Sequence, residues 1–263
     1  MPAVRFRFDH AVVVVDTLAR ASSRFATAGF TVTPGGRHDA LPTENALVAF
    51  ADGSYLELIA LRDADGRAGL RALRDSPGWE AHLKSASAIA RRFLPRLAGD
   101  DGVGDACIAG ERIARFAAEA RRRELALAGP VRMRRERSGA GALDWDLLLP
   151  AEDIVPFVIE DRTPREWRVP GGAATLHANG ATGIAEAFVR ADGVAAGALR
   201  LSGLFDAPLS APGGRSCADF AGVRWWLEEG LPAGACAVGI AGVSEIAADV
   251  AALGVRPAGG SAG

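Results

Sequence analysis

Residues 8–16 read FDHAVVVVD, a β-branched apolar run bounded by acids and broken near its start by His10. Such a run is a strand with a buried face, and the segments C-terminal to it decide how it is used. In TLARASSRFATAGF (17–30), Leu18, Ala21, Phe25 and Ala28 recur at helical spacing and stop at Gly29, which predicts an amphipathic helix. FTVTP (30–34) then reads as a second strand stopped by Pro34, GGRHDALPTEN (35–45) as a loop, ALVAF (46–50) as a third strand, ADG as a tight turn and SYLELIAL (54–61) as a fourth. The order is β-α-β-β-β.

The same order returns at about 103–161. GVGDACIA (102–109) reads as a strand, GERIARFAAEARRREL (110–125) as a helix, VRMRRERS and ALDWDLLL as strands around SGAG, and VPFVIED (155–161) as the last strand. Aligning Gly29-Phe30 with Glu124-Leu125 gives an offset of 95 residues, which pairs Leu18 with Ile113 and Phe25 with Ala120. An internal repeat is the simplest account. A fainter third copy runs through GIAEAFVRAD, GVAAGALRLSGLF and CADFAGVRWWLEEG, and a partial fourth through ACAVGIAG and SEIAADVAALGV. The tail at 258–263 is expected to be disordered. Residues 62–102 are charged and weakly patterned, with helix expected around 80–97. TPREWRVPGGAATLHANGAT has the Pro, Gly and small residues of a linker, so a first domain over 1–165 and a second over 183–257 are expected, the boundary near 165–182.

The chain has 263 residues, 49% of them apolar, and a formal net charge of −2 with both signs interspersed. It can build a real core, and no basic face points to nucleic acid or a membrane surface. A small-molecule partner is expected. Lys84 is the only lysine, in the weakly patterned WEAHLKSASAIARR, so Schiff-base chemistry has a single candidate. Cys107, Cys217 and Cys236 form no CxxC pair, which points to a reducing compartment and buried thiols. With no signal-peptide pattern and no apolar span, a cytoplasmic location is expected. P-loop, GxGxxG and HExxH motifs are missing, and GxSxG occurs only as GGSAG (259–263) in the Gly-rich tail, without the strand–turn–helix setting of a nucleophile elbow, so hydrolase, nucleotide and zincin chemistries lack their mechanical parts.

DHAVVVVD at the head, GFTVTPGGRH after the first helix, NALVAFADGSYLELIA closing the unit, then IVPFVIEDRTPREWRVPGG and HANGATGI, resemble the vicinal oxygen chelate superfamily and in particular its glyoxalase-like domain family. The resemblance covers roughly residues 6–190. It implies an α+β fold in which paired βαβββ modules curl into an incomplete mixed β-barrel around a cleft, with helices outside. Members include lyases, isomerases, epimerases, ring-cleaving dioxygenases and metal-free drug-binding proteins.

Alternation puts His10, Val12 and Val14 on one face of the first strand, and Tyr55, Glu57 and Ile59 on one face of the fourth. By resemblance, first and fourth strands lie side by side and aim such residues into the cleft, where His10 and Glu57 match the family's metal-ligand positions. The repeat offset maps His10 onto Asp105, and the closing strand offers Glu160 as the counterpart of Glu57. That hard, oxygen-rich set would suit Mg²⁺, Mn²⁺ or Fe²⁺ better than a thiolate-type zinc site, although zinc stays among the candidates. The family more often has a histidine or glutamine where Asp105 stands. Each residue also has a plainer reading: His10 hydrogen-bonded to backbone, Asp105 capping a turn, Glu160 paired with Arg162 or Arg165 at the surface. Glu57 amid YLELI is costly to bury unless paired or ligated.

His38, Glu44 and Asn45 lie in the glycine-rich loop, where His38 and Asn45 are candidate substrate contacts and His38 could also be a further ligand or an acid/base. Tyr55 and Trp145 are candidates for the cleft wall, with the core the slightly favoured reading for Trp145. His177 reads as a turn residue or the mouth of a second site, His82 as an exposed helical residue, and Arg121-Arg122-Arg123 as a solvated helix end. Trp225 and Trp226 point to opposite faces of one strand. The leading expectation is a divalent-metal-dependent lyase or isomerase acting on a small oxygen-rich metabolite through an enediolate-type intermediate, with Glu57 and Glu160 as proton-shuttling carboxylates. Its rival is a metal-free protein that encloses a drug or metabolite. The partial fourth unit implies that the second half needs the first barrel, or a homodimer, to close.

Overall fold

A computed structural model describes residues 5–137 and 141–259. The first unit is β1 (Phe6–Val14), α1 (Leu18–Thr27), β2 (Thr33–Arg37), β3 (Thr43–Ala49) and β4 (Tyr55–Leu61). An insertion of three helices comes next: α2 (Ala64–Arg74), α3 (Trp79–Ser85) and α4 (Ala88–Leu97). The second unit is β5 (Gly102–Gly110), α5 (Ile113–Arg122), β6 (Leu127–Arg137), β7 (Gly141–Pro150) and β8 (Phe157–Asp161). The third is β9 (Gly183–Ala191), α6 (Val194–Phe205), β10 (Leu209–Ser210), β11 (Cys217–Phe220) and β12 (Val223–Glu229), and the fourth is β13 (Gly234–Ala241), α7 (Ala248–Ala251) and β14 (Val255–Pro257).

The strands form two sheets, ordered β2-β3-β4-β1-β5-β8-β7-β6 and β10-β11-β12-β9-β13-β14. In each unit the first strand runs parallel to the last, and first strands pair antiparallel between units. The fold is therefore α+β, with paired modules curled into an incomplete mixed barrel. Among the described residues the second sheet repeats the first without counterparts of β6 and β7, and β14 takes the place of a fourth strand.

One irregularity recurs in every first strand. The ladder of β1 with β5 shifts register around Asp9 and Gly104, and that of β9 with β13 around Ala185 and Cys236. Each is one extra residue at the same place in its repeat, a β-bulge that moves the alternation on by one. Phe8 thus joins Ala11 and Val13 on the convex face, while Val12 and Val14 turn with His10 to the concave one. Val103 and Asp105 part in the same way across Gly104. The helix ends agree with this register: Gly29 and its counterpart Glu124 both have left-handed φ, 85° and 61°.

The convex backs of the two sheets, with α1, α5, α6 and α7, share one hydrophobic core. Backbone hydrogen bonds cross it, from Phe8 N to Ala221 O at 2.6 Å and from Val103 N to Leu253 O at 2.8 Å. Phe116, Phe205, Phe220 and Trp225 stack in series through it, with centroids 5.6, 4.4 and 4.6 Å apart. Both concave faces point outward. Among the described residues no helix is long and apolar enough to cross a membrane.

Local differences from the sequence reading have physical causes. β2 runs through Pro34 rather than stopping there, because it is an edge strand whose residue needs no ladder donor on that side. β3 begins at Thr43, so Glu44 and Asn45 stand in a strand, Asn45 opposite Ile59. The helix expected at 80–97 is divided between α3 and α4, with α2 before them. The tip of the SGAG turn, 138–140, and the tail from 260 onward lie outside the described residues. Before that tail, Ala258 N bonds to Ile240 O at 2.9 Å.

Candidate functional site

The concave face of the eight-stranded sheet holds a cavity of ≈ 110 Å³, roofed by α4 and the β2–β3 loop. Its walls differ. The first unit supplies His10 from β1, His38 from the loop, Asn45 from β3, and Tyr55 and Glu57 from β4; the opposite side is Ile89 and Phe93 of α4 with Trp145, Phe157 and Ile159 of the second unit, and Arg135 of β6 is the charged residue that the second unit adds.

The polar wall is a connected network. His10 Nε2 lies 3.4 Å from Glu57 Oε2, and Glu57 Oε1 accepts from Asn45 Nδ2 at 2.5 Å and lies 3.6 Å from His38 Nε2. Behind the wall, His10 Nδ1 meets Asp9 Oδ1 at 2.8 Å and His38 Nδ1 meets Thr43 Oγ1 at 2.9 Å. The bulge is what lets Asp9 and His10, adjacent in sequence, converge. Asp9 is completely buried and also accepts from Arg165 Nη1 and, at 3.0 Å, from Arg168 Nη1. Arg168 donates further to Tyr55 Oη at 2.7 Å and Asp161 Oδ1 at 2.8 Å. Tyr55 stacks on the His10 ring with centroids 4.6 Å apart.

Burial alone would push the Glu57 carboxyl up, but the hydrogen bond and charge of His10, then His38 and Asn45, bring it down to about 2. Burial also opposes a charged His10; Tyr55, Cys107 and the Asp9 hydrogen bond outweigh it and raise the imidazole well above its ordinary value. His38 goes the other way, lowered chiefly by burial despite Glu57. At neutral pH the wall therefore carries a fixed imidazolium–carboxylate pair beside a neutral imidazole.

Six of the residues singled out in the sequence meet at this cavity: His10, His38, Asn45, Tyr55, Glu57 and Trp145. Two do not. Asp105 occupies the place equivalent to His10, one residue past the Gly104 bulge, but its carboxylate is taken by α4. Arg92 holds it through Nε and Nη2, both at 2.8 Å, and Arg96 Nε lies 2.9 Å away. Glu160 sits on the other face of β8, where it accepts from Arg112 N and Ile113 N at 2.8 and 3.2 Å and caps the start of α5. Ladder register explains the difference. Val12 faces Glu57 across β1 and β4, and Cys107, the repeat equivalent of Val12, faces Phe157 across β5 and β8. Phe157 is thus the true counterpart of Glu57; Glu160 is an odd number of residues further on and so points the opposite way. His82 is exposed on α3, and His177 ties the two halves, accepting from Thr31 N at 2.9 Å and donating to Ala49 O at 3.0 Å.

These placements bear on metal binding. The four-residue set His10, Glu57, Asp105 and Glu160 is not assembled, and two guanidinium groups neutralise its only second-unit carboxylate on the concave side. Among the described residues Asp9, His10 and Cys107 have ligand atoms within 4.8 Å of one another. That triple does not fit a divalent ion either: Asp9 is saturated by two arginines, and burial pushes the Cys107 thiol up to about 11, away from the thiolate a metal takes.

Sequence reasoning missed Asp9, Phe93, Ile89 and Arg168. Alternation sends Asp9 to the far face unless the bulge is known. The α4 residues belong to no repeat, and their one signal was apolar spacing in a charged segment.

The fold is shared by solved structures of low sequence identity. A hypothetical protein from Staphylococcus aureus aligns over 91% of this chain and 92% of its own, with a TM-score of 0.68 and 16% identity. A xylose isomerase-like TIM barrel/4-hydroxyphenylpyruvate dioxygenase fusion protein aligns over 91% of this chain but 37% of its own, with a TM-score of 0.54 and 13% identity. No sequence among curated proteins matches. The glyoxalase-like domain model matches residues 8–205, three of the four bulged first-strand repeats and the whole cavity; the chain belongs to the glyoxalase-like domain family of the vicinal oxygen chelate superfamily.

Proposed function

We propose that the protein encloses a compact, largely apolar small molecule in this cavity without a resident metal, and that the His10–Asn45–Glu57 wall anchors the ligand's polar edge. The observation that supports this most is the state of the wall. General acid–base groups work best with a pKa near the operating pH. Glu57 is held at about 2 and His10 well above its ordinary range, so both stay charged through neutrality. Such a pair orients a ligand by fixed charge rather than by exchanging protons. Were the ligand also converted, the neutral His38 is the group able to accept a proton.

One observation favours a second reading, the metal-dependent lyase or isomerase. His10 and His38 both direct Nε2 toward Glu57 while Asp9 and Thr43 hold their Nδ1 atoms, the outer-shell support seen around metal-ligating histidines. A divalent ion, Mg²⁺, Mn²⁺, Fe²⁺ or Zn²⁺, would be held there by His10, His38 and Glu57 and would supply Lewis-acid polarisation of a substrate oxygen. A thermal-shift screen of small fragments against metal-stripped protein separates the readings. Fragments with an apolar body should raise the melting temperature in wild type and not in Glu57→Gln. Fragments that act only after a divalent metal is added would favour the metal enzyme.

A further inference from the structure

We infer that the inserted helix α4 makes the cleft one-sided and sets the size of its ligand, so that the cavity selects a single-ring body with polar atoms along one edge and excludes fused rings. This rests on the proposed reading of the cavity as a ligand site and adds the class of ligand.

In the repeat, Asp105 stands where His10 stands in the first unit, and an unmodified second unit would turn a carboxylate toward the ligand. Arg92 and Arg96 of α4 bind that carboxylate instead, and Arg92 also donates to Pro150 O at 2.8 Å and Val155 O at 3.0 Å. The helix is pinned from its far side as well, where Arg67 reaches Leu97 O at 3.2 Å and Gly99 O at 3.0 Å. With its charges turned to the sheet, α4 presents Ile89 and Phe93 to the cavity. Phe93 meets Phe157 edge-on, with centroids 5.6 Å apart, and Phe157 meets His10 edge-on at 5.4 Å. Where α4 and β8 face the cleft, the second unit's half is therefore an apolar wall fixed by buried ion pairs rather than a movable lid, and Arg135 of β6 is the charged group that lines this half, on the side of His38.

Size follows from the volume. An apolar cavity of about 150 Å³ binds benzene, so ≈ 110 Å³ has room for one ring at most. Polarity follows from the walls: donors on the ligand meet Glu57 along one edge, and any polar group on the other edge would be buried against Ile89, Phe93 and Phe157 without a partner.

Isothermal titration with benzamide and 2-naphthamide tests this, on wild type, Phe93→Ala and the milder Ile89→Ala, which is the arm to read if the first variant does not fold. Wild type is expected to bind benzamide at least tenfold more tightly than 2-naphthamide, and removal of either side chain should narrow or invert that ratio. Equal binding of both probes by wild type, or a ratio unmoved in the variants, would overturn the size rule while leaving the cavity a ligand site. Failure of wild type to bind either amide, or any apolar-bodied fragment in the thermal-shift screen, would remove the ligand-site reading itself.

Discussion

His10 carries a carboxylate on each ring nitrogen, and that arrangement has a pH signature. Its pKa is raised on folding, so its contribution to stability is complete below the ordinary imidazole pKa of about 6.5 and is lost as pH rises through the folded value. His177 has the opposite sign: burial lowers its pKa, and its contribution is lost as pH falls below about 6.5. Imidazole ¹⁵N spectra should find His10 doubly protonated at pH 7 in wild type, with a lower pKa in Glu57→Gln; a His10 that titrates near 6.5 in both proteins would contradict the ion pair. Much of this was legible in the sequence. Period-two alternation picks out His10 and Glu57 because each is the single polar residue on an apolar strand face. Asp9 was hidden, since a bulge leaves no mark in composition. Glu160 misled because an acid near the end of VPFVIED resembles the one in SYLELIAL, while only ladder register shows that they face opposite ways.

The inserted helices were the least legible element. α1 could be read from Leu18, Phe25 and a stop at Gly29, whose φ of 85° only glycine tolerates easily and where an added Cβ would lie 2.9 Å from Asn179. α4 has no repeat partner, and its arginines suggest solvent until the buried Asp105 is placed beneath them. Arg92 and Asp105 have side chains only 3% and 1% exposed, so removing one partner leaves charge without compensation. Asp105→Asn should cost about 3–5 kcal/mol, read as a lower urea midpoint at unchanged slope. A loss below about 1 kcal/mol would mean that α4 is not held by this pair.

At the scale of the whole molecule, the two sheets share a core rather than merely touching. The alternation of β9 and β13 announces a buried face without saying against what, so back-to-back packing could not be read from the chain. It predicts one cooperative unfolding transition for the full chain by circular dichroism and by intrinsic tryptophan fluorescence. A chain cut after Ala181 should lose cooperativity because it exposes Phe8, Ala106 and Phe116; a separately folded and stable fragment would show two independent domains. The cleft on the outer face of the first sheet carries the central claim, that its charges are already satisfied by the protein and need no cation. The most direct measurement is the melting temperature of metal-stripped protein titrated with Mn²⁺, Fe²⁺ and Zn²⁺. A resident metal at a hundredfold excess over its Kd would add about 2.7 kcal/mol, roughly 5–10 °C for a chain of this size. Wild type is expected to show no shift beyond that of Glu57→Gln; a rise of that size in wild type, lost in Glu57→Gln and His38→Ala, would mean that the cleft holds a metal.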